Sequence, residues 1–150
     1  MNRKAVYEQL KYDEGVEYKV YKDHLGYPTF GVGHLILETD EEFGCPTGTE
    51  VSEERVKVCF NQDLGIAEKE CYALYGEGVF RYLPDEVQQI LVNMMFNMGR
   101  PRLSKFAKMN EAILSKDWKK AAAEGRDSRW HSQVTNRAER LMSRMENVTL

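Results

Sequence analysis

Residues 10–35, LKYDEGVEYKVYKDHLGYPTFGVGHL, dictate more about this chain than any other stretch. Helical spacing before Gly15 gives way to alternation after it. Residues 3–13 place Ala5, Val6, Tyr7 and Leu10 along one stripe and predict a helix. Gly15 follows, where a glycine commonly closes one. Residues 17–23 put Tyr18, Val20 and Lys22 on one face and Lys19, Tyr21 and Asp23 on the other, a pattern rich in aromatic and β-branched types that predicts a strand. His24-Leu25-Gly26 supplies a turn. Residues 27–33 form the returning strand, with Pro28 marking an edge position, and residues 34–37 a third short strand. Two acids are left at element ends. Glu14 falls in the last helical turn, where the helix dipole opposes negative charge, and Asp23 closes the first strand. Thr29 adds a hydroxyl on the next strand, so a small polar site is in reach.

The rest of the chain reads as the body around that site. Residues 38–50, ETDEEFGCPTGTE, are acidic and turn-rich and predict a loop with at most a short helix. Ser52 then offers an N-cap, with Glu53 and Glu54 in the first turn behind it. Val56, Phe60, Leu64, Ala67, Cys71 and Leu74 follow at spacings of three and four, so one helix covers about 52–74. At ~30–35 Å it is longer than a small lobe needs, and is expected to join two lobes. Residues 75–83 break the pattern. Pro84 is expected at the first helical position. Val87, Ile90, Leu91, Met94, Met95 and Met98 make the next helix the core of the second lobe. Gly99 should stop it and Pro101 prevent its resumption, with shorter helices at about 103–106, 108–115, 117–124, 127–132 and 135–145. The fold class is α+β in a single domain, residues 1–150. A small antiparallel sheet lobe (about 15–50) and a larger all-helical lobe (about 75–150, with helix 3–13) are joined by the long helix.

Composition excludes several classes. No apolar run approaches a membrane span, and the first fifteen residues lack the apolar core of a secretory signal, so a cytoplasmic site of synthesis is expected. Cys45, Cys59 and Cys71 match no zinc spacing and cannot all pair; they read as free thiols in a reducing compartment. The net charge of −3 is uneven. Residues 1–75 hold 8 Lys+Arg against 15 Asp+Glu, and residues 76–150 hold 13 against 9. The basic half carries no basic–aromatic stripe or nucleic-acid motif, so no nucleic-acid partner is expected.

Two carboxyls set apart at element ends suit glycoside hydrolysis. One hands a proton to the leaving oxygen, and the other activates water or supports the positive sugar. The motifs sharpen this. Leu10 to Gly15, Tyr21-Lys22-Asp23, Gly26-Tyr27, Thr29 and Gly31-Val32-Gly33-His34-Leu35 closely resemble the active-site region of the bacteriophage-type lysozymes, glycoside hydrolase family 24. The likeness continues through Phe60-Asn61-Gln62-Asp63, Asn93 to Gly99, Ser128-Arg129-Trp130, Gln133 and Asn136-Arg137-Ala138. It covers nearly the whole chain, in order and at compatible spacing.

That resemblance implies a bacteriolytic N-acetylmuramidase without cofactor or metal. Glu14 would be the proton donor, Asp23 the second carboxylate and Thr29 the hydroxyl that places the attacking water. A single inverting displacement is expected, with carboxyls ~6.5–9.5 Å apart. Nucleophilic attack by Asp23, or a transglycosylase using Glu14 alone, are the alternatives; Asp23 and Thr29 together argue against the second. Arg137 is implied to pair with Glu14, and His34 with Asp63 in an interior ion pair. Leu35 and Phe96 match positions that contact the sugar chain. Two further such positions fall near Met109 and Glu124, counting from Phe106 and Trp118, where the residue types depart from the family, and the role is not carried over. Trp118 and Trp130 are expected as core anchors, and His24 and His131 at the surface. The implied role is an endolysin of a bacteriophage: a monomer made in the host cytoplasm, acting on bacterial peptidoglycan once a separate membrane-permeabilising protein, a holin, lets it out. The rival is a non-catalytic wall-binding or virion structural module that keeps the same fold.

Overall fold

The meander forms as its alternation requires. In a computed structural model, which describes residues 1–149, β1 (Glu17–Lys22), β2 (Pro28–Gly31) and β3 (His34–Leu35) make an antiparallel sheet in the order β1-β2-β3. Tyr21 pairs with Thr29 and Thr29 with Leu35, while the register slips between Glu17 and Tyr21. Pro28 therefore lies on the central strand and not at an edge. It is tolerated there as the first residue of β2, where the missing N–H interrupts nothing and its carbonyl still accepts from the Ile36 N–H at 3.0 Å. The acidic loop is not idle either. Val20 and Tyr18 exchange backbone hydrogen bonds with residues 48, 49 and 51, and Lys19 bridges to Glu50, so the end of the loop covers the outer side of β1. Pairing there satisfies edge groups that would otherwise stand open.

The helices are α1 (Arg3–Glu14), α2 (Glu53–Tyr75), α3 (Glu77–Phe80), α4 (Asp85–Leu103), α5 (Ala107–Leu114), α6 (Trp118–Arg126), α7 (Arg129–Gln133) and α8 (Thr135–Glu146). None of the described helices is long and apolar enough to cross a membrane. Ser52 caps α2 as its position suggests, its Oγ accepting from the Arg55 N–H at 3.1 Å. Contacts divide the chain into two units, Arg3–Gly65 and Ile66–Leu150 with Met1–Asn2, and the boundary falls inside α2.

The first unit holds the sheet and also α1, which the sequence pattern had grouped with the helical lobe. The reason is the stripe on α1: Val6 and Leu10 are buried, and the Tyr7 ring packs on Phe60 of α2 with centroids 4.6 Å apart. The core of this unit adds Val20, Phe30, Val56 and Leu64.

Every named element of the second unit is a helix. Its core is α4, where Val87, Ile90, Leu91 and Met94 are fully enclosed. α6 and α8 approach so closely that the Met142 sulfur occupies the place a Cβ on Gly125 would take. Trp118 and Trp130 are buried, as expected of anchors, and the Trp130 Nε1–H donates to Asn97 Oδ1 at 2.8 Å. His131 is half-buried, and its Nε2 lies 2.9 Å from the Glu139 carboxylate at the surface. Pro84 is the cap of α4 rather than its first helical residue. Gly99 does break α4, with φ 79° and ψ 164°. The helix nevertheless resumes through Pro101, since a proline in a first turn forfeits no hydrogen bond.

Backbone at that break is open to glycine alone. Gly99→Ala is expected to cost about 1–3 kcal/mol in equilibrium urea unfolding. Gly65→Ala, in the middle of α2 with open space around its Cα, should raise stability by up to about 1 kcal/mol.

Candidate active site

Glu14 is the last residue of α1, and Gly15 turns the chain there with φ 77° before β1 begins at Glu17. At the far end of β1 the chain closes on Asp23. The Asp23 N–H donates to Tyr27 O, and the N–H groups of Leu25 and Tyr27 both donate to Asp23 Oδ1 at 2.9 Å. One carboxylate oxygen is thus fixed by the turn it organises. The other, Oδ2, has no partner among the described residues.

Thr29 is buried on the neighbouring strand, and its hydroxyl donates to Tyr27 O at 2.9 Å. Its proton is spent, so towards a ligand the hydroxyl can only accept. Leu35, paired with Thr29, stays 46% exposed. Tyr21, also paired with Thr29, has a phenol raised above its ordinary pKa by burial and by the charges of Glu17, Asp23 and Glu14.

The phage lysozyme family model matches residues 11–147. The chain belongs to the phage lysozyme family. It is a glycoside hydrolase of the lysozyme type. It is 34% identical to the pre-baseplate central spike protein Gp5 of Enterobacteria phage T4 over 89% of its own length, and spans 26% of that protein. It is 30% identical to the probable T4-type lysozyme 1 of Dictyostelium discoideum, over 97% of this chain and 96% of that one. The probable T4-type lysozyme 2 of the same organism is 29% identical, over 95% and 94%.

The residues that the family likeness marks divide between the units. The sheet unit carries Glu14, Asp23, Thr29, His34, Leu35 and Asp63; the helical unit carries Phe96, half-buried on α4, and Arg137 on α8. Arg137 Nε donates to Asn93 Oδ1 at 2.9 Å, and a second guanidinium nitrogen reaches Asn93 O at 3.3 Å. Met109 and Glu124 meet in one groove of about 380 Å³ in the helical unit, with Lys105, Phe106 and Asp127. Met109 is its buried floor.

His34 is where the sequence was half read. Nδ1 lies 2.7 Å from Asp63 Oδ2 as the family likeness implies, but Nε2 also lies 2.8 Å from Asp40 Oδ2. Only the protonated ring has two N–H groups to give. Burial works against that charge more than any single partner favours it, yet the bonds to Asp63 and Asp40 and their charges together raise the pKa. Asp40 also accepts from the Leu37 N–H at 2.8 Å, and Arg55 holds Glu42 through Nε at 2.9 Å and reaches Asp40 at 3.4 Å. Asp40 was missed because it lies in a loop whose only sequence signal is acidity. His34, Asp40 and Cys59 also bring ligand atoms within 4.8 Å of one another. The Arg55 guanidinium opposes a cation there, and burial pushes the Cys59 thiol up to about 11, so it is no thiolate at neutral pH. The group is an ion-pair network.

Its stability contribution has a defined window. His34, raised above 6.5, contributes fully below that value, and the contribution is lost as pH rises through the elevated one. Asp40, lowered mainly by Leu37 and His34 against the opposing effect of burial, contributes above 3.8 and is lost as pH falls through its depressed value. Asp63→Asn and Asp40→Asn are each expected to cost about 1–3 kcal/mol near pH 5.5 and much less near pH 8.5, and to lower the His34 pKa in an NMR titration. Equal losses at both pH values would refute the clamp.

Proposed function

We propose that the protein is an endolysin that hydrolyses the β-1,4 bond between N-acetylmuramic acid and N-acetylglucosamine in bacterial peptidoglycan, with inversion at the anomeric carbon. What supports this most is the Asp23 carboxylate, held by the turn through one oxygen and left with the other, next to a Thr29 hydroxyl whose proton is given to the same turn.

The chemistry follows from what each group has left. A water donates one hydrogen to Asp23 Oδ2 and the other to Thr29 Oγ1, both of which can only accept, so its lone pair faces the sugar. As the glycosidic C–O bond breaks, the anomeric carbon gains positive charge, and the water oxygen bonds to it from the far side. The water's proton passes to Asp23 and the Glu14 proton passes to the leaving oxygen. Leu35, exposed on the same face of the sheet, offers an apolar surface to the sugar ring. Phe96 is assigned to the same substrate and Arg137 to the support of the site on family likeness. We assign host-cell lysis as the role, by a monomer that reaches the wall from the host cytoplasm through a holin.

A second reading rests on the 34% identity to a phage spike protein: a domain carried on the virion, structural rather than catalytic. A turbidity assay on chloroform-treated Gram-negative cells decides. Wild type should clear them, and Glu14→Gln should lose at least about a hundredfold, in the range general acid catalysis supplies. Equal clearing by both would sink the catalytic assignment. The anomer at the new reducing end, read by NMR before mutarotation, should be inverted.

A further inference from the structure

On the hydrolase reading above, we propose that Tyr21 is a substrate-positioning residue whose hydroxyl donates a hydrogen bond to an acetamido carbonyl oxygen of the glycan beside the scissile bond. The register carries the placement. Cross-strand partners share a face of a sheet, so Tyr21, Thr29 and Leu35 form a row across all three strands. Asp23 follows Tyr21 by two residues, the spacing that returns a side chain to the same face. Tyr21 is half-buried, so its ring is held while its edge remains in reach of a ligand.

The hydrogen-bond inventory of that face then selects the role. Asp23 Oδ2 accepts, and the Thr29 proton is given to Tyr27 O. Leu35 has no polar group. Tyr21 keeps its proton at neutral pH, and its hydroxyl makes no hydrogen bond among the described residues. A row of acceptors cannot recognise a carbonyl oxygen; one phenol with a proton to give can. Repeated N-acetyl groups are what distinguish this class of glycan from simpler β-1,4 polymers, so the donor sets specificity as well as position.

The test uses glycan strands from peptidoglycan, de-N-acetylated and then re-acylated with either acetyl or thioacetyl groups, since sulfur is a poor acceptor. On the acetyl strands Tyr21→Phe should raise KM about five- to tenfold, with kcat changed less than about twofold. On the thioacetyl strands wild type should already show the raised KM, and Tyr21→Phe should add nothing. An unchanged KM on acetyl strands, or an equal further loss on both, would overturn the assignment. The wild-type comparison does not depend on the variant folding: identical KM for the two strands also overturns it. Calorimetric binding of acetyl strands to Glu14→Gln and to Glu14→Gln with Tyr21→Phe separates this from the reaction. If wild type binds but does not cleave, the hydrolase reading falls, and a five- to tenfold binding difference still supports the donor. If neither protein binds, the assignment falls with that reading.

Discussion

One protonated ring ties the sheet unit together. His34 begins β3, the shortest strand, and its two nitrogens reach Asp63 on α2 and Asp40 in the following loop. A two-residue strand contributes little pairing of its own. Without the clamp, β3 would be held to β2 by a few backbone hydrogen bonds and by the contact of the His34 and Phe30 rings, 5.0 Å between centroids. With it, β3 is fixed to the helix that forms the floor of the unit, and the Arg55–Glu42 pair fixes the next stretch of loop to the same helix. Burying such charges is costly, and replacing a buried ion pair with apolar groups is often neutral or better for stability. The gain here is in geometry: the pair holds in place a strand too short to place itself, and that strand carries Leu35 opposite Thr29.

The candidate site is built by the same economy on a smaller scale. Asp23 uses one oxygen to close the β1–β2 turn and keeps the other. Thr29 uses its proton on Tyr27 O and keeps its lone pairs. Each group is anchored through the part of it that chemistry does not need. On the proposed mechanism the turn from residue 23 to 27 is structural and functional at once, and lengthening it would unfasten the carboxylate and the hydroxyl together.

How far the sequence could be read follows from the range of the interactions involved. Alternation in residues 17–23, the glycine after Glu14 and the Ser52 cap depend on neighbours a few residues away, and all are legible. Pro28 was misplaced because the edge rule concerns a missing N–H, and the first residue of a strand lacks that bond wherever the strand lies. Pro101 was misread for the same reason in a helix. The placement of α1 failed because its stripe says only that it packs, not on what. Asp40 and the covering of β1 by residues 48–51 come from a loop, where partners are set by the tertiary fold. His34 with Asp63, twenty-nine residues apart, was visible only through family likeness. Tyr21 carried a signal that went unused: it shares the alternation phase of Asp23.

Charge gives these particulars a common direction. The first 75 residues are strongly acidic, and part of that acidity is answered locally: Asp40 and Asp63 by His34, Glu42 by Arg55, Glu8 by Lys11. The charges of Glu17 and Asp23 instead act on the Tyr21 phenol, whose pKa burial and these charges raise. On the proposed mechanism a sugar losing its leaving group becomes cationic at the anomeric carbon, and the fixed negative charge of Asp23 would favour it without reorganisation at the moment of reaction. The same field disfavours an anionic wall polymer approaching from a distance. On the proposed function, attraction to the wall would fall to the basic second half of the chain, where 13 Lys+Arg outnumber 9 Asp+Glu.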